Sequence, residues 1–79
     1  MPGVIINSSS KIGKHSIINS GTIVEHDCEV GDLVHLRSGV TLNGHSRVGD
    51  MSYIGSNSTT EVNTIIRENS YYPNGSIIE

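Results

Sequence analysis

Phenylalanine and tryptophan are absent from this chain of 79 residues, which also holds only one cysteine and two prolines. Without the large aromatics, any core has to be built from aliphatic side chains. A single cysteine excludes an internal disulfide framework. Five basic residues scattered along a chain of net charge −3 do not make the basic stripe of a nucleic-acid surface. The four histidines, at 15, 26, 35 and 45, lack zinc-finger spacing, and no metal site is expected from them. No segment approaches the ~20 apolar residues that span a bilayer. The opening MPGVIINSSS has no basic start followed by a long apolar run, so no signal peptide is read and a cytoplasmic protein is expected.

A chain this short makes one domain and buries only about 60% of its unfolded surface, so it needs outside support. With disulfides and metals set aside, that support is oligomerisation.

What the sequence does have is a period of six. Stepping by six from Ile6 gives an unbroken aliphatic series through Ile12, Ile18 and Val24 to Ile54, followed by Thr60, Ile66, Tyr72 and Ile78. Two residues before each lies a second series of small residues, among them Thr22, Cys28, Val34, Ser46 and Ser52. Glycine or asparagine often follows the aliphatic residue, as at Gly13, Asn19, Gly31 and Asn43, and is expected to take the left-handed backbone of a tight corner. Six is neither a helical period nor a strand alternation. It fits a short strand with two inward residues and then a corner, and three such units make a triangular coil of eighteen residues.

In this pattern the chain resembles the hexapeptide-repeat family. The resemblance implies an all-β, left-handed parallel β-helix of about four coils over residues 1–79, against the usual right-handed crossover. The last coil, from about residue 57, is expected to be irregular. Thr60 and Tyr72 stand there in aliphatic positions, and Arg67 and Pro73 stand in glycine-type positions.

Residues eighteen apart stack into columns. Lys11, Glu29, Arg47 and Ile65 form a largely charged face. Ile5, Ile23, Thr41, Thr59 and Ile77 form a second face, and Ile17, His35, Tyr53 and Tyr71 a third, flanked by Leu33 and Met51. Between the second and third runs a thin edge of Gly3, Gly21, Gly39, Asn57 and Gly75. Two sticky faces meeting at a thin edge predict a homotrimer with that edge on its axis.

Glu25, His26 and Asp27 then fall on a corner, outside the core. Cys28 points inward as a small core residue and is not expected to be a nucleophile. Gly44 lies one coil beyond His26. A histidine accepting a proton beside a bare amide that donates to an oxyanion suits direct acyl transfer, with Glu25 or Asp27 holding the imidazole tautomer.

The stretch VEHDCEVGDLVHLRSGVTLNG also resembles the catalytic core of hexapeptide acetyltransferases that modify sialic acids or nucleotide-linked amino sugars. That resemblance implies acetyl-coenzyme A as co-substrate and a small amine or hydroxyl acceptor, sugars included. It implies His26 as general base, His35 and Gly44 at the acetyl-coenzyme A site, and Gly44 as the amide facing the thioester carbonyl. Placing the glycine edge on the three-fold axis adds Tyr53, brought by the neighbouring chain to a site between subunits. His15 is read as a surface or interface residue and His45 as a cross-strand partner of Asp27. The alternative is a non-catalytic β-helix that serves assembly or ligand binding.

Overall fold

The computed structural model describes residues 3–79 and contains thirteen strands of two residues each, with no helix among the described residues. They form three parallel sheets. The first runs β1 (Ile5–Ile6), β4 (Ile23–Val24), β7 (Thr41–Leu42), β10 (Thr59–Thr60) and β13 (Ile77–Ile78). The second, the charged face, stacks β2 (Lys11–Ile12), β5 (Glu29–Val30), β8 (Arg47–Val48) and β11 (Ile65–Ile66). The third stacks β3 (Ile17–Ile18), β6 (His35–Leu36), β9 (Tyr53–Ile54) and β12 (Tyr71–Tyr72). Each strand pairs with the third strand along the chain, and the partners are eighteen residues apart, as in Ile5 with Ile23 and Ile6 with Val24. The product is a β-solenoid of about four triangular coils, the architecture expected of a left-handed β-helix.

The inward residues do what the period requires. Ile18, Val24, Leu36, Leu42 and Ile54 are fully buried, with Cys28, Val34 and Val40 filling the narrower corners. Inward hydroxyls take up backbone groups that the corners leave unpaired. Ser16 Oγ donates to the Gly31 carbonyl at 2.7 Å and accepts from the Val34 amide at 3.1 Å. Such a hydroxyl avoids the cost of a buried unsatisfied amide or carbonyl, which explains why this series is rich in serine and threonine.

Past residue 57 the ladder keeps its register, with Thr59 opposite Ile77 and Tyr71 opposite Tyr53. The departure from the repeat is in the side chains: buried Thr60 accepts from the Asn43 amide through its hydroxyl, and half-buried Tyr72 packs against the core.

The corners differ from expectation in one respect. Left-handed backbone falls on the third residue after each aliphatic position, at Asp27 (φ 60), His45 (φ 63) and Asn57 (φ 61), and at Gly21 and Gly39. It does not fall on the residue directly following. The glycines placed there serve close packing of coils instead. A β-carbon on Gly13 would run into the backbone of Gly31, and one on Gly49 into that of Arg67 and Glu68.

Candidate functional site

The corner joining the first face to the charged face carries four stacked pairs: Ser8–Ser9, His26–Asp27, Gly44–His45 and Val62–Asn63. Its backbone is a ladder of its own. The Asp27 amide donates to the Ser8 carbonyl at 3.2 Å, His45 to His26 at 3.2 Å and Asn63 to Gly44 at 2.9 Å. These bonds fix where each side chain leaves the coil.

His26 and Asp27 are both largely exposed, and His26 Nδ1 lies 3.2 Å from Asp27 Oδ2. With Nδ1–H donating to the carboxylate, the lone pair is left on Nε2. That edge of the ring faces Gly44. A β-carbon built on Gly44 would sit 3.4 Å from His26 Nε2 and 3.3 Å from Cε1. Gly44 has no left-handed φ to explain it, so the need for glycine there is room for the imidazole. Among the described residues no acceptor pairs with the Gly44 amide, although its carbonyl is taken by Asn63.

Of the two acids beside His26, Asp27 holds the ring. Glu25 Oε1 accepts from the Asn7 amide group at 3.1 Å, one coil earlier. His45 completes the cluster: its ring meets that of His26 edge-on, with centroids 5.3 Å apart, and its Nε2 is 4.0 Å from Asp27 Oδ2. Asp27 and His45 also line a shallow recess of about 310 Å³ with Arg47, Asn63 and Ile65. A larger depression of about 500 Å³ spreads over the charged face from Lys11 to Glu68 and includes neither His26 nor Gly44.

His35 and Tyr53 lie on the third face, a different side of the prism, so a single chain does not bring them to His26. They form a cluster of their own. The Asn19 side-chain amide lies 3.3 Å from His35 Nε2, and Tyr53 meets the His35 ring edge-on at 5.3 Å. Arg37 donates from Nη1 to the Tyr53 hydroxyl at 2.7 Å, and Tyr71 stacks on Tyr53 at 5.1 Å. Burial, with the Arg37 charge second, pulls His35 below the ordinary histidine range. Asn19 and Arg37 escaped the sequence columns because they pair at an offset of sixteen, diagonal to the eighteen-residue stack.

Cys28 is fully buried, with Sγ 3.2 Å from the Asn43 carbonyl, and burial pushes its thiol up. His15 is exposed on its own corner.

Residues 9–44 match the family model for the bacterial transferase hexapeptide, which spans six repeats. No curated protein matches the chain. Among solved structures it is similar to the acetyltransferase domain of PglB from Neisseria gonorrhoeae FA1090, with 23% identity and a TM-score of 0.80 over 99% of this chain and 47% of that one. It is also similar to the same domain in complex with acetyl coenzyme A, with 21% identity and a TM-score of 0.64 over 96% of this chain and 51% of that one. This chain thus spans about half the length of the structures it matches. Over residues 9–44 the family model bears out the hexapeptide repeat read from the period of six, and the likeness in structure shows the fold.

Proposed function

We propose that this hexapeptide-repeat chain is an acetyl-coenzyme A-dependent acetyltransferase, or the catalytic part of one. It would move acetyl to an amine or hydroxyl of a small acceptor, with amino sugars the first class to test. The observation that carries this reading is the placement of His26, with Nδ1 on Asp27 and Nε2 against Gly44.

The chemistry follows from that placement. Asp27 holds the tautomer in which Nε2 is free to take the acceptor proton. The acceptor nitrogen or oxygen bonds to the thioester carbonyl carbon as His26 removes its proton. The Gly44 amide donates to the oxyanion that forms. Collapse of the tetrahedral intermediate breaks the carbon–sulfur bond, and the thiolate leaves with the proton carried by His26. The products are the acetylated acceptor and free coenzyme A, with no covalent enzyme intermediate. Cys28 takes no part, since it is buried and its thiol is pushed up.

The site fits a trimer. Exposed Ile5, Ile77 and half-buried Ile23 cover one face, and Ile17 and Tyr71 lie exposed on another, with the glycine edge between them. Burying those faces against each other would bring His35 and Tyr53 of the partner subunit toward the His26 corner. The third face, aliphatic and aromatic apart from His35 and the Arg37 side chain that reaches Tyr53, suits a pantetheine arm. A cytoplasmic location suits both acetyl-coenzyme A and a free thiol such as Cys28; among the described residues no helix is long and apolar enough to cross a membrane.

Calorimetry with coenzyme A tests the reading. Saturable binding is expected, and no heat at millimolar concentration would instead make the chain a non-catalytic assembly module.

A further inference from the structure

The acetyl-transfer reading leaves His45 without a role, yet its ring completes a cluster of three potential ligands. Asp27 Oδ2 lies 3.2 Å from His26 Nδ1 and 4.0 Å from His45 Nε2. One donor atom from each of the three residues falls within 4.8 Å of the other two. We propose that His26, Asp27 and His45 bind a divalent transition-metal ion of zinc's class, and that its binding switches His26 off as a base. The second half rests on the acetyl-transfer reading, and the first half does not.

Geometry favours the site. Ligand atoms about 2.0–2.2 Å from a tetrahedral zinc ion are separated from one another by roughly 3.3–3.5 Å. The His26–Asp27 pair, at 3.2 Å, is close to that spacing. The 4.0 Å Asp27–His45 pair and the two imidazole donors, within 4.8 Å of each other, need the exposed His45 ring to swing inward. Asp27 and His45 occupy the same corner position on successive coils, both left-handed, and the His45 amide is tied to the His26 carbonyl. Two imidazoles and one carboxylate are a borderline set that suits zinc, copper or nickel, whereas magnesium and calcium prefer all-oxygen shells. The side chains are about half exposed, so water completes the coordination. Arg47 lines the same recess and offsets the carboxylate charge, which weakens the hold on a cation.

The consequence for His26 is a matter of lone pairs. A neutral imidazole has one nitrogen able to accept. When the metal takes Nδ1, the ring proton moves to Nε2, and Nε2 can no longer receive the acceptor proton. The Asp27 carboxylate is turned to the ion at the same time.

The test titrates the whole chain with Co²⁺, read by visible absorption, and with Zn²⁺, read by calorimetry. His45→Asn is run alongside, because Asn63 holds the same left-handed corner one coil further on (φ 59). The parent should bind one ion per chain, with Zn²⁺ displacing Co²⁺. Since loss of an outer partner alone costs ~10–100-fold in metal affinity, His45→Asn should weaken binding by roughly tenfold or more. A parent that binds neither ion below millimolar concentration, or a His45→Asn variant that binds as the parent does, would overturn the site. With a responsive acceptor, Zn²⁺ should inhibit the parent at its binding concentration, and the variant should need roughly tenfold more. Binding without inhibition would overturn the switch. The metal titration needs no acetyl transfer, so the two proposals fail independently.

Discussion

The imidazole of His26 occupies the space where Gly44 would carry a side chain, 3.3–3.4 Å from its absent β-carbon. That distance is tighter than ordinary contact, so a methyl group there would push the ring by a few tenths of an ångström. The backbone at Gly44 is not left-handed and accepts alanine. Gly44→Ala should therefore leave the melting temperature nearly unchanged while lowering kcat by ~10-fold or more, because small misplacements of reacting groups are costly. A variant that matches the parent in kcat would show that the fit between ring and glycine has no bearing on the reaction.

Assembly should follow the apolar faces. The protein is expected to scatter light with the mass of three 8.5 kDa chains at micromolar concentration. Ile23→Asp, on the first face, should shift it toward monomer. Arg47→Glu, exposed on the charged face, should leave it trimeric. A parent that is monomeric at that concentration would remove the partner's share of the site.

His35 should titrate below the ordinary histidine value of ~6.5. Burial is the main cause and Arg37 the second, and the accepting role of Nε2 toward Asn19 points the same way. With its folded value lowered, His35 contributes stability that is present above ~6.5 and is lost as pH falls through the folded value. The midpoint of its pH-dependent NMR shift should lie below the ordinary histidine value, and His35→Gln should lose less thermal stability than the parent between neutral and mildly acidic pH. A His35 midpoint at or above the ordinary value would contradict this.

Cys28 should react slowly with a soluble disulfide reagent in the native protein and fully once it is denatured, because its thiol is buried and pushed up. Rapid labelling of the folded chain would mean that the inward register is wrong.

The period of six made the coils legible because each inward aliphatic residue has its own buried place, from Ile18 through Ile54. The stacking of His26 under Gly44 followed from the same arithmetic. The choice between Glu25 and Asp27 did not. The two acids flank His26 symmetrically in sequence, and only the left-handed turn at Asp27 separates them, leaving Glu25 to reach back to Asn7. The corner glycines misled for a related reason, since Gly13 and Gly49 are demanded by the neighbouring coil rather than by φ. The pairings of Asn19 with His35 and Arg37 with Tyr53 run diagonally and depend on side-chain reach that a column does not encode. The cluster of His26, Asp27 and His45 was hidden because the three match no zinc-finger interval; one coil of eighteen residues brings Asp27 and His45 together.

The proposed acetyl transfer turns on His26 accepting the acceptor's proton. It is tested most directly by comparing the parent with His26→Ala in a continuous assay of coenzyme A release, using a responsive amine or hydroxyl acceptor. Loss of a positioned general base commonly costs ~10²–10⁴ in rate. The variant should lose that much activity while its coenzyme A affinity stays within a few-fold of the parent and His15→Ala stays near parent activity. If His26→Ala releases coenzyme A as fast as the parent, His26 is a surface histidine and the mechanism is wrong.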